Sequence, residues 1–150
     1  MRDVVAAREL LERASAAIAL PAATLEAIFL DAPTDFRVII SSRLPFGIER
    51  FGMAGITLFG TVYLHKTVLG YSPVDLIVLV RHEAEHIRQQ RASGTFYARY
   101  LIGWLRSFFL RRKKDSGGMA RRWHNAYMDI PAEREAYAAG DRARNLINRK

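Results

Sequence analysis

The chain contains no cysteine. That excludes disulfides and thiolate metal sites, so any metal must be held by His, Asp or Glu. It also fits a reducing compartment. Long apolar runs are missing as well: no stretch reaches the ~18 residues of a membrane span. The first twenty residues lack the apolar centre of a secretory signal, because Asp3, Arg8, Glu9, Glu12 and Arg13 interrupt it. A cytoplasmic protein is therefore expected. There is no internal repeat and no low-complexity segment. Histidine is sparse, with four in 150 residues, and two of them are His82 and His86.

What is present is ordinary globular material. Half of the residues are hydrophobic and a quarter are charged, enough for one core without covalent staples. One domain over 1–150 is expected, with 1–33 as a helical N-terminal extension and 35–145 as the core. The formal charge of +8 points toward an acidic protein partner or assembly, an anionic membrane or nucleic acid. Lys and Arg are spread widely and no nucleic-acid motif appears, which disfavours nucleic acid.

Apolar Val4, Ala7, Leu11, Ala14 and Ile18 recur in steps of three and four, so a helix is expected over 3–19. A short helix through Leu25, Ile28, Phe29 and Leu30 should end before Pro33. Residues 36–40 read as a strand, 47–55 as a loop, and 56–59 and 61–64 as two strands about Gly60. Ser72-Pro73-Val74-Asp75 is a strong helix start: a capping hydroxyl, proline in the first turn, and an acid three residues on. That helix should run to Ala92, with Gly94 beyond it. Leu76 to Val80 is apolar on every side, so burial is expected there. A further helix is expected over 96–110 with a stripe of Tyr97, Tyr100, Leu101, Trp104, Leu105 and Phe108. A basic, flexible turn at 111–118 should follow it. A last helix is expected from Pro131 to Asn148.

Residues 82–86 read His-Glu-Ala-Glu-His. Four positions apart on a helix, His82 and His86 share a face and can aim at one point. Glu83 sits about 100° round the helix, at the rim of that face. Two neutral imidazoles suit zinc, and a carboxylate beside the metal suits proton transfer from water. The third ligand should come from a later element, since no His follows His86 until His124. Glu133 and Glu135 are the candidates, and being about 200° apart they cannot both face the site. Glu85 should point away, either solvated or paired with Arg81 or Arg88. His124 and Tyr127 are candidates for stabilising an oxyanion. His65 is expected to be structural.

His82-Glu83-Ala84-Glu85-His86, with Glu133-Arg134-Glu135-Ala136 downstream, resembles the gluzincin metallopeptidases, most of all their compact bacterial zincin-like members. Thr61-Val62-Tyr63-Leu64, Arg88-Gln89 and Phe96-Tyr97-Ala98-Arg99-Tyr100-Leu101 add to the likeness, which spans 55–139. It implies an α+β, zincin-like fold, with a small twisted sheet packed on the active-site helix and further helices at both ends. It also implies zinc held by His82, His86 and a Glu, with Glu83 as catalytic base acting on a peptide or protein substrate. The family's Glu-x-x-Ala maps onto Glu133 and Ala136, which favours Glu133. Where the family often has Asp or Asn after that Ala, this chain has Tyr137. The alternative is a non-catalytic structural or adaptor domain of a bacterial or phage assembly. The apolar helix over 96–114, flanked by Arg and Lys, has a second reading as a membrane-surface element. Packing against the active-site helix is the favoured one.

Overall fold

The computed structural model describes residues 2–111 and 125–149. The fold is α+β, with a mixed four-stranded sheet in the order β1-β2-β4-β3. Strand β1 is Arg2–Ala6, β2 Arg37–Ser41, β3 Gly55–Leu58 and β4 Thr61–His65. β2 and β4 are parallel, while β1 and β3 flank them antiparallel. Helices α1 (Ala7–Ala17) and α2 (Ala22–Ile28) follow β1. Helix α3 is Pro73–Ala92, α4 Phe96–Arg111 and α5 Pro131–Ile147.

The expected N-terminal helix is corrected by this arrangement. Residues 2–6 pair with β2, Val4 opposite Ile39, and the helix begins only at Ala7. Val4, expected on the helix's apolar face, is instead exposed on an edge strand. β-Branched Val4 and Val5 suit a strand, and a long-range partner decided the matter. The expected loop 47–55 is partly taken up by a 3-10 segment, Pro45–Phe51, that begins before it. Strands β2, β3 and β4 fall within a residue or so of expectation. β3 and β4 join through Phe59 and Gly60, both at positive φ (47° and 75°), which suits a tight two-residue hairpin.

Alternation along the parallel pair sends Val38 and Ile40 of β2 and Val62 and Leu64 of β4 inward. They meet Ile77, Val80, Ala84 and Ile87, one stripe of α3, together with Leu10, Leu11 and Ala14 of α1. Residues 7–14 thus share the core of the motif helix. Ser72 caps α3: its Oγ accepts from the Asp75 N–H at 3.1 Å and donates to Asp75 Oδ2 at 2.6 Å. Asp75 Oδ1 also takes Arg144 of α5 at 2.8 Å. A Cβ at Gly140 would lie 3.3 Å from Val78 Cγ1, so α5 lies close against α3 where a larger side chain would crowd it.

Burial of α3 peaks later than expected. Only Ile77 and Val80 are fully buried in its apolar first turns, whereas everything from Arg81 to Ile87 is buried. Arg81 is 2% exposed. Its Nε donates to Ile28 O at 2.9 Å, one terminal nitrogen to Asp31 Oδ1 at 2.8 Å and the other to Glu85 Oε2 at 3.0 Å. Arg88 donates to the other Glu85 oxygen at 2.8 Å. Glu85 is therefore paired with both arginines, and it is buried rather than solvated. Burial opposes its charge, and the two guanidinium groups still hold its carboxyl below the usual range.

Removing one partner of a buried ion pair strands the other. Arg81→Ala should therefore destabilise the protein by roughly 3–5 kcal/mol. Arg88→Ala, at the half-exposed end, should cost about 1 kcal/mol or less. Equilibrium urea unfolding of the two variants measures both.

Candidate metal centre

Opposite the core stripe, α3 turns His82 and His86 toward α5. Their ring centroids are 4.9 Å apart with the planes at 81°. The first turn of α5 brings Glu133 between them. His82 Nε2 lies 3.5 Å from Glu133 Oε2, and His86 Nε2 lies 3.3 Å from Glu133 Oε1. All three residues are buried, Glu133 to 1% exposure. Their ligand atoms lie within 4.8 Å of one another, the one such cluster among the described residues. A carboxylate in the first turn of a helix is also favoured by the helix dipole.

The other candidate, Glu135, faces elsewhere. Its Oε2 accepts from Gln89 Nε2 at 3.0 Å, and the same amide nitrogen donates to Ala132 O at 3.1 Å. Two acceptors on one side of the amide fix its orientation. Gln89 Oε1 must then face His86 Nδ1, 2.9 Å away. Nδ1 carries the hydrogen, and neutral His86 is left with its lone pair on Nε2, facing Glu133. Gln89 stood in the sequence only as part of a resemblance, and its spacing of three from His86 was the available signal.

Glu83 faces β3. The register sets Thr57 opposite Val62 and Gly55 opposite Leu64, so both point to the α3 side. Thr57 Oγ1 donates to Glu83 Oε2 at 2.6 Å. A Cβ on Gly55 would come 3.0 Å from Glu83 Oε1 and 2.7 Å from Leu64 Cδ2, so only glycine leaves that carboxylate in place. Glu83 lines two cavities. One, of about 380 Å³, adjoins His82, Tyr137 and the Asp75–Arg144 pair. The other, of about 90 Å³, adjoins His86, Phe96, Tyr97 and Tyr100. Tyr127 lines both.

Tyr100 Oη donates to Glu133 Oε1 at 2.5 Å. Burial, then the nearby Glu133 carboxylate, keeps the Tyr100 and Tyr127 phenols protonated far above their ordinary range. Tyr137, which stands where the resemblance leads one to look for Asp or Asn, sets its ring edge-on to His82 at 4.6 Å. His65 bonds Thr67 Oγ1 and Ser42 O at 3.0 and 3.2 Å, a structural placement. His124 and the basic turn from 112 to 118 lie outside the described residues.

Burial alone would push His86 to lose its proton. The Glu133 carboxylate, together with Glu83 and Gln89, outweighs burial and raises its pKa to about 9. Burial likewise works against the Glu133 charge, and His86, His82 and Tyr100 hold it well below the ordinary carboxylate range. These contacts are charge pairs without hydrogen-bond alignment: His86 Nε2 and Glu133 Oε2 are buried and make no hydrogen bond. Buried orphan atoms are uncommon and call for a partner. A cation between two imidazole nitrogens and a carboxylate would satisfy both, so the donor set fits a divalent metal.

No protein-family model, curated protein or solved structure matches the chain.

Two outcomes follow for Zn²⁺ titrated into metal-free protein. Metal needs a neutral His86, which holds a proton up to about pH 9, so uptake at pH 7–8 should release a proton and affinity should rise with pH toward 9. Calorimetry in buffers of different ionisation enthalpy reads that proton. Gln89→Leu frees the His86 ring and should weaken zinc binding by roughly 10- to 100-fold.

Proposed function

We propose that the chain is a zincin-like, zinc-dependent metallopeptidase, with His82, His86 and Glu133 as ligands and Glu83 as general base. One observation carries the reading: two histidines a turn apart and a glutamate from another helix meet at one buried point, with a further glutamate beside them on a cavity wall. The sheet supports it, since edge strand β3 runs along the motif helix and engages Glu83. When bound, zinc supplies Lewis-acid polarisation of a carbonyl and of water.

The chain's own residues supply the rest. Thr57 holds one oxygen of Glu83 and leaves the other for a water proton. Glu83 accepts that proton as the water oxygen bonds to the carbonyl carbon. It then returns the proton to the amide nitrogen as the C–N bond breaks, giving a carboxylate and an amine. Tyr127, kept protonated beside Glu83, is a donor for the charge that develops on the carbonyl oxygen. Tyr100 and Gln89 position Glu133 and His86.

A second reading rests on the direct approach of both histidines to Glu133 at 3.3 and 3.5 Å. Taken as a buried ion pair, the cluster would hold α3 and α5 together in a non-catalytic adaptor domain.

Elemental analysis and peptide hydrolysis separate the two. The wild type should carry about one zinc per chain. Glu83→Gln should keep the metal and lose roughly 10²- to 10⁴-fold in hydrolysis, while His82→Ala and Glu133→Ala should lose the metal. Full zinc loading in His82→Ala would sink the ligand set, and zinc without cleavage of any peptide in a broad library would favour the adaptor.

A further inference from the structure

Helix α4 buries only part of the stripe expected of it, for Leu101 and Leu105 stay exposed. Phe96 and Tyr100 turn inward, where they line the cavity beside His86. On the outward side, Ala98, Leu101, Ile102 and Leu105 follow one another in steps of three, one and three, the spacing of an apolar helix face. Leu101 is 56% exposed, Ile102 64% and Leu105 38%. Phe59, 84% exposed at the β3–β4 turn, adds to this surface. Its ring lies 4.9 Å from that of Tyr97 on α4. The turn is held in place: the Phe59 N–H donates to Tyr97 Oη, and the Gly60 N–H donates to Gln90 Oε1 at 3.1 Å.

Charge names the occupant. Arg99 and Arg106, both exposed, border the apolar face, and the sequence runs on into Arg111-Arg112-Lys113-Lys114. An apolar helix face edged with arginine suits an anionic lipid surface, where aliphatic groups enter the headgroup boundary and cations meet phosphates. A second copy of the chain would set arginines against arginines on a protein of net charge +8. No helix among the described residues is long and apolar enough to cross a membrane, so the contact is peripheral. We propose that the outward face of α4, together with Phe59, docks this protein on anionic membrane surfaces.

The test is co-sedimentation of the full chain with vesicles of phosphatidylcholine alone or mixed with phosphatidylserine. The wild type should pellet with the mixed vesicles and not with the neutral ones, and less so at high salt. Ile102→Glu combined with Leu105→Glu should weaken pelleting by about tenfold or more. Arg99→Glu with Arg106→Glu should weaken it too. These positions are exposed, and thermal melting of each variant checks that its fold is intact. No pelleting with mixed vesicles overturns the proposal, as does equal pelleting of the wild type and the Ile102/Leu105 variant. Light scattering that shows a dimer without vesicles, broken by that same variant, would assign the face to a second copy instead.

Discussion

A helical segment buried on every side from Arg81 to Ile87, carrying Arg81, His82, Glu83, Glu85 and His86 within six residues, sets the terms for the whole fold. Each of these side chains is buried. A buried charge is tolerated only with a partner in contact, and one helix cannot supply them all. The partners come from all round. The end of α2 and the loop after it give Ile28 O and Asp31 to Arg81, β3 gives Thr57 to Glu83, and α5 gives Glu133 to the two histidines. The apolar stripe Ile77, Val80, Ala84 and Ile87 takes the remaining side against the sheet and α1. The order of elements around α3 is thus the order in which its polar residues need satisfying.

The same need explains what could be read from the sequence. Local signals were strong where the answer was local. The Ser72-Pro73-Asp75 cap set the start of α3, and the turn at Phe59-Gly60 set the β3–β4 hairpin. The choice between Glu133 and Glu135 rested on helix geometry and a resemblance to a motif, and the structure turns Glu133 toward the two histidines. β1 was missed because Val4 fits a helical spacing equally well, and only the pairing of Val4 with Ile39 and of Val5 with Val38, some thirty-odd residues away, makes the segment a strand. Gln89, Thr57 and Tyr100 went unassigned for the same reason. Their roles exist only once α3, β3, α4 and α5 meet, and apart from the spacing of Gln89 from His86 nothing in the neighbouring sequence marks what each would bond.

Burial also separates the two ends of α3 in kind. Its N-terminal turns were expected to be the buried part because they are apolar. Instead Val78 and Leu79 are half-buried and line the larger cavity beside His82. The ionisable segment from 81 to 86 is enclosed with its partners, which holds their geometry fixed, while the apolar Val78 and Leu79 on the cleft side remain only half-buried.

The cluster at Glu133 is tuned in both directions by one contact. Without a cation, His86 keeps its proton because Glu133 is charged, and Glu133 stays charged because His86 keeps its proton. The pair is neutral overall and tolerable in the interior. On the proposed reading a divalent cation would take the place of that proton, held by the two imidazoles and the carboxylate that now face each other. Gln89 directs His86 Nε2 inward, and Tyr100 holds Glu133 Oε1 from outside. The scaffold that makes this ion pair acceptable would, on the proposed reading, also hold the same side chains ready for a metal, so the fold would not have to wait for one to form.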